Sequence, residues 1–311
     1  INNHFIAMRK KINSIPNFII IGAQKSASTF LQSCLNDHPD VYLPDGETPF
    51  FETPDYELGD IEQLKNIFTG RDEKCLGIKR PSYIGRGEVP ERIERHLPDV
   101  KLIAVLRNPI DRAMSSYFHN INYGFIPPLE IEIGMKKIIS DFKFRSKYKR
   151  SSEIIEYGYY YKYLSKYEKY IQNGKMLIFL HEDILLNPLK SIQKAYDFLE
   201  ISRDFIPKSL DSRPQKVLYS LTRLKFVRLR NRFMFNYNKE CTRLFSKDKT
   251  LIDKLLIRII SNIDSKFLSK FFPNNKPNLD LQLKKELYGL YESDLKQLSK
   301  LINRDLSEWM L

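Results

Sequence analysis

IIIGAQKSASTFL, residues 19–31, decides how this chain reads. An apolar run stops at Gly22, small and polar residues follow, and a helical pattern through Leu31 and Leu35 begins near Ser28. A buried strand, a short loop and a helix in that order aim backbone N–H groups and the positive end of a helix dipole at one spot. Lys25 sits in the loop, where its ammonium can reach an anion held there. The stretch is not a nucleotide-triphosphatase loop, because GxxxxGK[ST] sets its Lys at the helix start, whereas Lys25 comes before Ala27. Taken alone, it fits an ordinary strand–turn–helix connection as well as an anion site.

Three further apolar runs read as strands: CLGIK at 75–79, KLIAVL at 101–106 and MLIFL at 176–180. Near-continuous apolar runs mark strands covered on both faces. The chain is therefore expected to be α/β, a three-layer α/β/α arrangement around a central parallel sheet. Asn108-Pro109 and Asn187-Pro188 each set Asn at an expected N-cap and Pro at the first helical position. In YGYYYKYLSKYEKY (157–170), Tyr160, Leu164, Tyr167 and then Ile171 recur at helical spacing and predict a core-facing stripe; a sugar-stacking surface is the alternative. Beyond Glu200 no strand is expected. Irregular helices are predicted over 220–272, a break at FFPNNKPN (271–278), and a helical C-terminal extension from about Leu281 to Trp309. The expectation is one domain over 1–311 with a basic, mostly helical insert at about 213–270.

The chain has 311 residues and a formal charge of +13, and that charge is unevenly placed. Residues 213–249 carry eleven Lys/Arg, Arg213 and Lys216 among them, against two acids; residues 136–150 carry seven against one. The remainder is close to neutral, so two basic segments suggest an anionic partner, or a solvated face. Three distant cysteines without CxxC spacing argue against a disulfide scaffold or a zinc site and favour a reducing compartment. No run approaches the roughly 18 apolar residues of a membrane span. The cations of the predicted helix at 217–235 point all round it, which counts against its lying on a membrane.

KLIAVLRNPIDRAMSSYF (101–118) is the second chemical candidate. Arg107 leaves the carboxyl end of a strand, where open parallel sheets bind ligands, and Ser115 follows on the next helix. The two can converge on one phosphate; Arg107 can equally pair with Asp111. Taken in order, these two motifs resemble the sulfotransferases that use 3′-phosphoadenosine 5′-phosphosulfate (PAPS). Lys25-Ser26-Ala27-Ser28-Thr29 is similar to the family's Lys-Ser-Gly-Thr-Thr loop. Arg107, Pro109, Arg112, Ser115 and Tyr117 match its Arg-x-Pro-x-x-Arg-x-x-Ser-x-Tyr segment.

The resemblance implies a P-loop-like phosphosulfate-binding loop at Lys25, Ser26, Ala27, Ser28 and Thr29, with Arg107 and Ser115 on the 3′-phosphate. HPDVYLPDGETPFFE (38–52) resembles the branch that includes heparan sulfate sulfotransferases, which makes Glu47 the general base; IKRPSYI (78–84) puts Lys79 near the sulfuryl group or acceptor. The cytosolic branch uses a His near Lys79, and none lies between His38 and His96. His38, His119 and His181 are expected to be structural, and His4 and His96 carry no signal. Ala27 replaces the usual Gly, Gly46 a usual Lys, and Asn274-Asn275-Lys276 only weakly echoes the heparan enzymes' basic loop. The implied activity is in-line sulfuryl transfer from PAPS, without a metal, to a hydroxyl or amine of an anionic or polar glycan. A lipid or small-molecule acceptor is the alternative, and so is a non-catalytic anionic-polysaccharide-binding protein. Nucleic acid is not expected as a partner, and membrane contact is left open. The expected location is cytoplasmic, or the Golgi lumen if an N-terminal anchor preceded Ile1.

Overall fold

The computed structural model describes residues 15–212 and 217–310, so His4, Arg213 and Lys216 lie outside the described residues. The strands are β1 (Phe18–Gly22), β2 (Val41–Tyr42), β3 (Cys75–Lys79), β4 (Lys101–Leu106), β5 (Met176–Leu180), β6 (Phe235–Tyr237) and β7 (Leu244–Ser246). The helices of two turns or more are α1 (Ser28–Asn36), α2 (Val89–His96), α3 (Pro109–Asn122), α4 (Ile131–Ser140), α5 (Pro188–Leu199), α6 (Leu221–Met234), α7 (Leu251–Ile263) and α8 (Leu281–Ile302). The chain gathers into two compact units. One takes the described parts of Ile1–Asn108, Tyr159–Gln215 and Asp294–Leu306; the other takes those of Pro109–Gly158, Lys216–Ser293 and Ser307–Leu311.

The first unit holds a five-stranded sheet in the order β2-β3-β1-β4-β5, with every pairing parallel. β1 is central, and the chain leaves it towards β2 and β3 on one side and β4 and β5 on the other. Such a reversal of strand order opens a crevice beyond the carboxyl ends of the strands. The loop after β1, Lys79 at the end of β3 and Arg107 after β4 all lie at that end. The four long strands fall on the boundaries expected from their apolar runs. β2 escaped notice because two residues make no run.

Phe18, Ile20, Ile103, Val105 and Phe179 pack with Leu31 and Leu35 of α1 and with Ile192, Tyr196 and Leu199 of α5. Ile19, Ile21, Leu102 and Ala104 are buried as well, so the strands are covered on both faces. Each such side chain contributes about 1.5–3 kcal/mol by burial. Gly77 pairs with Phe18 across β1 and β3, and a Cβ there would lie 2.2 Å from the Phe18 ring. Only glycine lets the two strands close over that ring.

The tyrosine stripe forms, but a 3-10 turn at Ser165–Tyr167 separates Tyr160–Leu164 from Glu168–Gln172. Three residues per turn carry the buried row from Tyr167 to Tyr170 instead of Ile171. Pro109 and Pro188 start α3 and α5 as expected, but the Asn187 side chain makes no capping bond.

In the second unit, the expectation that strands stop after Glu200 is corrected. β6 and β7 pair antiparallel as a hairpin between α6 and α7. Phe235, Tyr237, Leu244 and Phe245 carry strand propensity, but three-residue strands among arginines and lysines are too short to stand out. α8, whose residues from Asp294 on belong to the first unit, buries Leu283, Leu287, Tyr291, Leu295 and Leu298 along one stripe. It ends at Asn303 (φ 49°), short of the predicted Trp309, which sits on a separate 3-10 turn.

Candidate active site

The loop after β1 is wound tightly. Lys25 and Ala27 both take left-handed conformations, φ 67° and 72°. Ala27 stands at the N-cap of α1 and offers no side-chain cap, which leaves the first turn of the helix facing the loop. A non-glycine residue in that region costs about 1–2 kcal/mol, so this loop stores strain where the resembled family uses Gly. Ser26 is fully buried, and its Oγ has no hydrogen-bond partner.

Arg107 fastens the loop by donating from Nη1 to the Lys25 carbonyl at 3.1 Å. It is itself held through its backbone, because the Tyr160 hydroxyl donates to the Arg107 carbonyl at 2.8 Å and faces the Arg107 N–H at 3.4 Å. The short helix bearing Tyr160 is fixed in turn by the Asp294 carboxylate, which accepts from the Tyr161 and Lys162 N–H groups at 2.9 Å. Sequence reading placed Tyr160 in the core and gave no role to Asp294, since only the closed fold brings them within reach of Arg107.

The segment carrying Glu47 is tied at several points. Gln32 of α1 donates to the Pro44 carbonyl at 2.9 Å, and the Thr48 N–H donates to the Lys79 carbonyl at 3.0 Å. Tyr83 donates to the Thr48 carbonyl at 2.6 Å and accepts from the Phe51 N–H at 3.0 Å. Two glutamates lie here, and their exposures separate them. The Glu52 side chain is 3% exposed and engaged by Arg80 and Ser82; the Glu47 side chain is 42% exposed and meets Arg80 Nη1 at 2.8 Å. Glu52 is therefore a structural anchor for Arg80, and Glu47 is the carboxylate open to an incoming group. Arg80 follows Lys79 directly, yet its link to Glu47 spans 33 residues and has no local signature.

Burial pushes the Lys25 ammonium down to about 8; the Arg107 charge acts in the same direction, and Glu47 opposes both. Burial also lowers Lys79, against the attraction of Glu47. Lys79 donates to Thr29 Oγ1 at 3.3 Å. Lys25, Lys79, Arg80, Arg107 and Glu47 thus form one electrostatic cluster in the first unit, with Ser26, Ala27, Ser28 and Thr29 supplying the loop and helix start. Four cations, of which Lys79 is buried and the others half-buried, outnumber the single carboxylate and suit an anion.

Ser115 lies in the second unit, fully buried on α3, and its Oγ has no partner. Arg112, one turn earlier on that helix, is also fully buried; Nη2 donates to the Ile154 carbonyl, while Nε and Nη1 have no partner. Three buried donors at i and i+3 on one helix are unsatisfied by protein. Asp111 pairs with Lys276 at 2.7 Å, and Asn274 bonds to the Val217 carbonyl and the Tyr219 N–H, so the weakly echoed basic loop is pinned to its own unit. His38 is structural as expected, held by the Ser202 carbonyl and the Asp40 N–H. The second unit also contains a cavity of about 340 Å³ whose walls include Lys225, Arg228, Arg232 and Tyr237. Burial pushes the Arg228 guanidinium below its usual range. Among the described residues, no group of three or more His, Cys, Asp or Glu could hold a metal.

A parallel sheet with a tight cationic loop and a bare helix start at its switch point defines a protein built to bind a phosphate-like group. The chain belongs to the sulfotransferase family: the family's sulfotransferase-domain model matches residues 16–255, which includes the basic segment left unassigned in the sequence. It is 30% identical over 204 residues to bifunctional heparan sulfate N-deacetylase/N-sulfotransferase 2 of Homo sapiens, covering 62% of this chain and 23% of that protein. It is 29% identical over 195 residues to heparan sulfate glucosamine 3-O-sulfotransferase 3A1 of Mus musculus, covering 61% and 47%. The chain thus spans less than half the length of either relative. A solved sulfotransferase from Alicyclobacillus acidocaldarius shares the fold at TM-score 0.66 and 21% identity, over 94% of this chain and 98% of that one.

Proposed function

We propose that both units serve one sulfotransferase domain that moves a sulfuryl group from PAPS to a hydroxyl or amine of a glycan. The observation that carries the reading is the Lys25–Arg107–Glu47 cluster at the strand ends, where two partly buried cations and an open carboxylate share one loop system. The donor fits the residues present. Ser26 Oγ, the α1 start and Lys25 suit its 5′-phosphosulfate, and the motif match assigns its 3′-phosphate to Arg107 and to Ser115, whose buried Oγ has no hydrogen-bond partner. When bound, PAPS supplies a sulfuryl group already joined to a phosphate leaving group.

Glu47 takes the proton of the acceptor as the acceptor oxygen or nitrogen bonds to sulfur. Lys25 neutralises the charge gathering on the bridging oxygen as the sulfur–oxygen bond breaks. Lys79, anchored on Thr29, would serve the sulfuryl group or the acceptor. Arg80 orients Glu47 through its second pairing with Glu52. Positioning and electrostatics carry most of the rate, as in phosphoryl transfer. Within the second unit, the cavity walled by Lys225, Arg228 and Arg232 has the cations to suit a sulfate or carboxylate group.

The test has two arms. Adenosine 3′,5′-bisphosphate is expected to raise the melting temperature and ATP to raise it much less, because only the former offers Arg107 and Ser115 a 3′-phosphate. Labelled sulfate from PAPS should then pass to members of a panel of glycans in preference to lipids and phenols. Equal stabilisation by both nucleotides removes the donor assignment; transfer to lipids alone removes the glycan.

A further inference from the structure

Residues 251–272 invert the usual distribution of a surface helix. α7 is rich in Leu and Ile, yet its only buried residue is Asp253. Ile252, Leu255, Ile259 and Ile263 recur at three- and four-residue spacing, and Phe267 and Phe271 extend the exposed apolar row through the π-helical turn Asp264–Leu268. The exposures leave no doubt that they face outward: Ile252 69%, Leu255 56%, Phe267 61% and Phe271 75%. A contiguous apolar face of this extent marks a docking surface.

The charges beside it name the occupant. Lys254, Arg258, Lys266 and Lys270 are all exposed, and among the described residues no carboxylate pairs with any of them. Both acids of the stretch are engaged within the unit. Asp253 accepts from Thr250 at the helix start, and Asp264 takes Arg223 through two hydrogen bonds of 2.8 Å. What is left outside is apolar and cationic, with no negative charge.

We propose that this face rests on a membrane surface containing anionic phospholipid. The helix lies in the plane of the interface, the row from Ile252 to Phe271 enters the boundary between headgroups and acyl chains, and the Lys and Arg stems run back to lipid phosphates. Among the described residues no helix is long and apolar enough to cross a membrane. A second copy is a poorer occupant, because a two-fold contact sets these four cations against the same four. An uncharged protein groove leaves all four unanswered.

Sedimentation of the chain with vesicles tests this. It is expected to bind vesicles of phosphatidylcholine mixed with phosphatidylglycerol and to bind phosphatidylcholine alone much more weakly, with added salt weakening the former. Replacing exposed Leu255→Gln and Ile259→Gln should lower binding about tenfold per side chain with the melting temperature unchanged. Lys254→Gln with Arg258→Gln should remove the preference for anionic vesicles. Failure to bind either vesicle overturns the proposal. So does undiminished binding by the apolar variant, or a dimer in light scattering that the apolar variant splits.

Discussion

Two sets of cations in this molecule share a chemistry and differ in their surroundings. Lys25 and Lys79, in the first unit, are desolvated; Lys25 lies against Arg107, and both are depressed in pKa as a result. Lys254 and Arg258, in the second, stand in solvent beside exposed leucine and isoleucine. A desolvated cation is held at a cost, and that cost is returned when an anion binds at one defined place. An exposed cation is cheap and screened, and it acts only in numbers on an extended surface. The net charge of +13 therefore mixes two functions that burial alone tells apart.

The strongest way to break this comparison is at Glu47, the carboxylate facing the buried set. Glu47→Gln should lower transfer about 10²–10⁴-fold with nucleotide binding intact, since Arg80 keeps Glu52 as a partner. Retained turnover in a steady-state assay removes Glu47 as the base. Next comes pH. Lys25 is charged below about 8, and a bound phosphate raises its pKa. Nucleotide affinity should therefore be level below about 8 and fall about tenfold per pH unit above it until the bound-state pKa is passed; titration calorimetry reads this, and Lys25→Arg should flatten it. Without nucleotide the sign differs. The unfolded chain binds the Lys25 proton more tightly than the folded one, so this group adds stability as pH rises from about 8 towards its ordinary value.

Tyr160→Phe sharpens the contrast more gently. It deletes the hydroxyl that holds the Arg107 backbone, at about 1 kcal/mol, and should weaken nucleotide affinity several-fold with little effect on overall fold by circular dichroism. The smallest effect is expected at Ala27. Glycine relieves a left-handed strain of about 1–2 kcal/mol but loosens the unfolded chain by about 0.4–1 kcal/mol. Ala27→Gly should thus raise stability by about 0.8 kcal/mol, the difference of the two mid-range figures, in a denaturant titration.

Much of the frame was legible locally. FIIIG, CLGIK, KLIAVL and MLIFL are strands because uninterrupted apolar runs have few other solutions, and the loop at 23–27 follows from its small residues. The possible strain at Ala27 was readable once Gly was the expected residue. Other parts had no local signal. β6 and β7 hide among charged residues, and α7 reads as an ordinary amphipathic helix until its apolar side proves to face outward. Arg80 and Glu52 were silent because an ion pair across 28 residues leaves no periodicity.

The sequence by itself determined the parallel sheet, the cationic loop after its first strand and the family, because each rests on residues close in the chain. Only the tertiary structure decided which acid is open and which is spent, that Tyr160 and Asp294 hold Arg107 in place, and that α7 shows its apolar side to solvent. Those outcomes depend on burial and on contacts between distant segments, and burial sets what a charge or an apolar side chain can do.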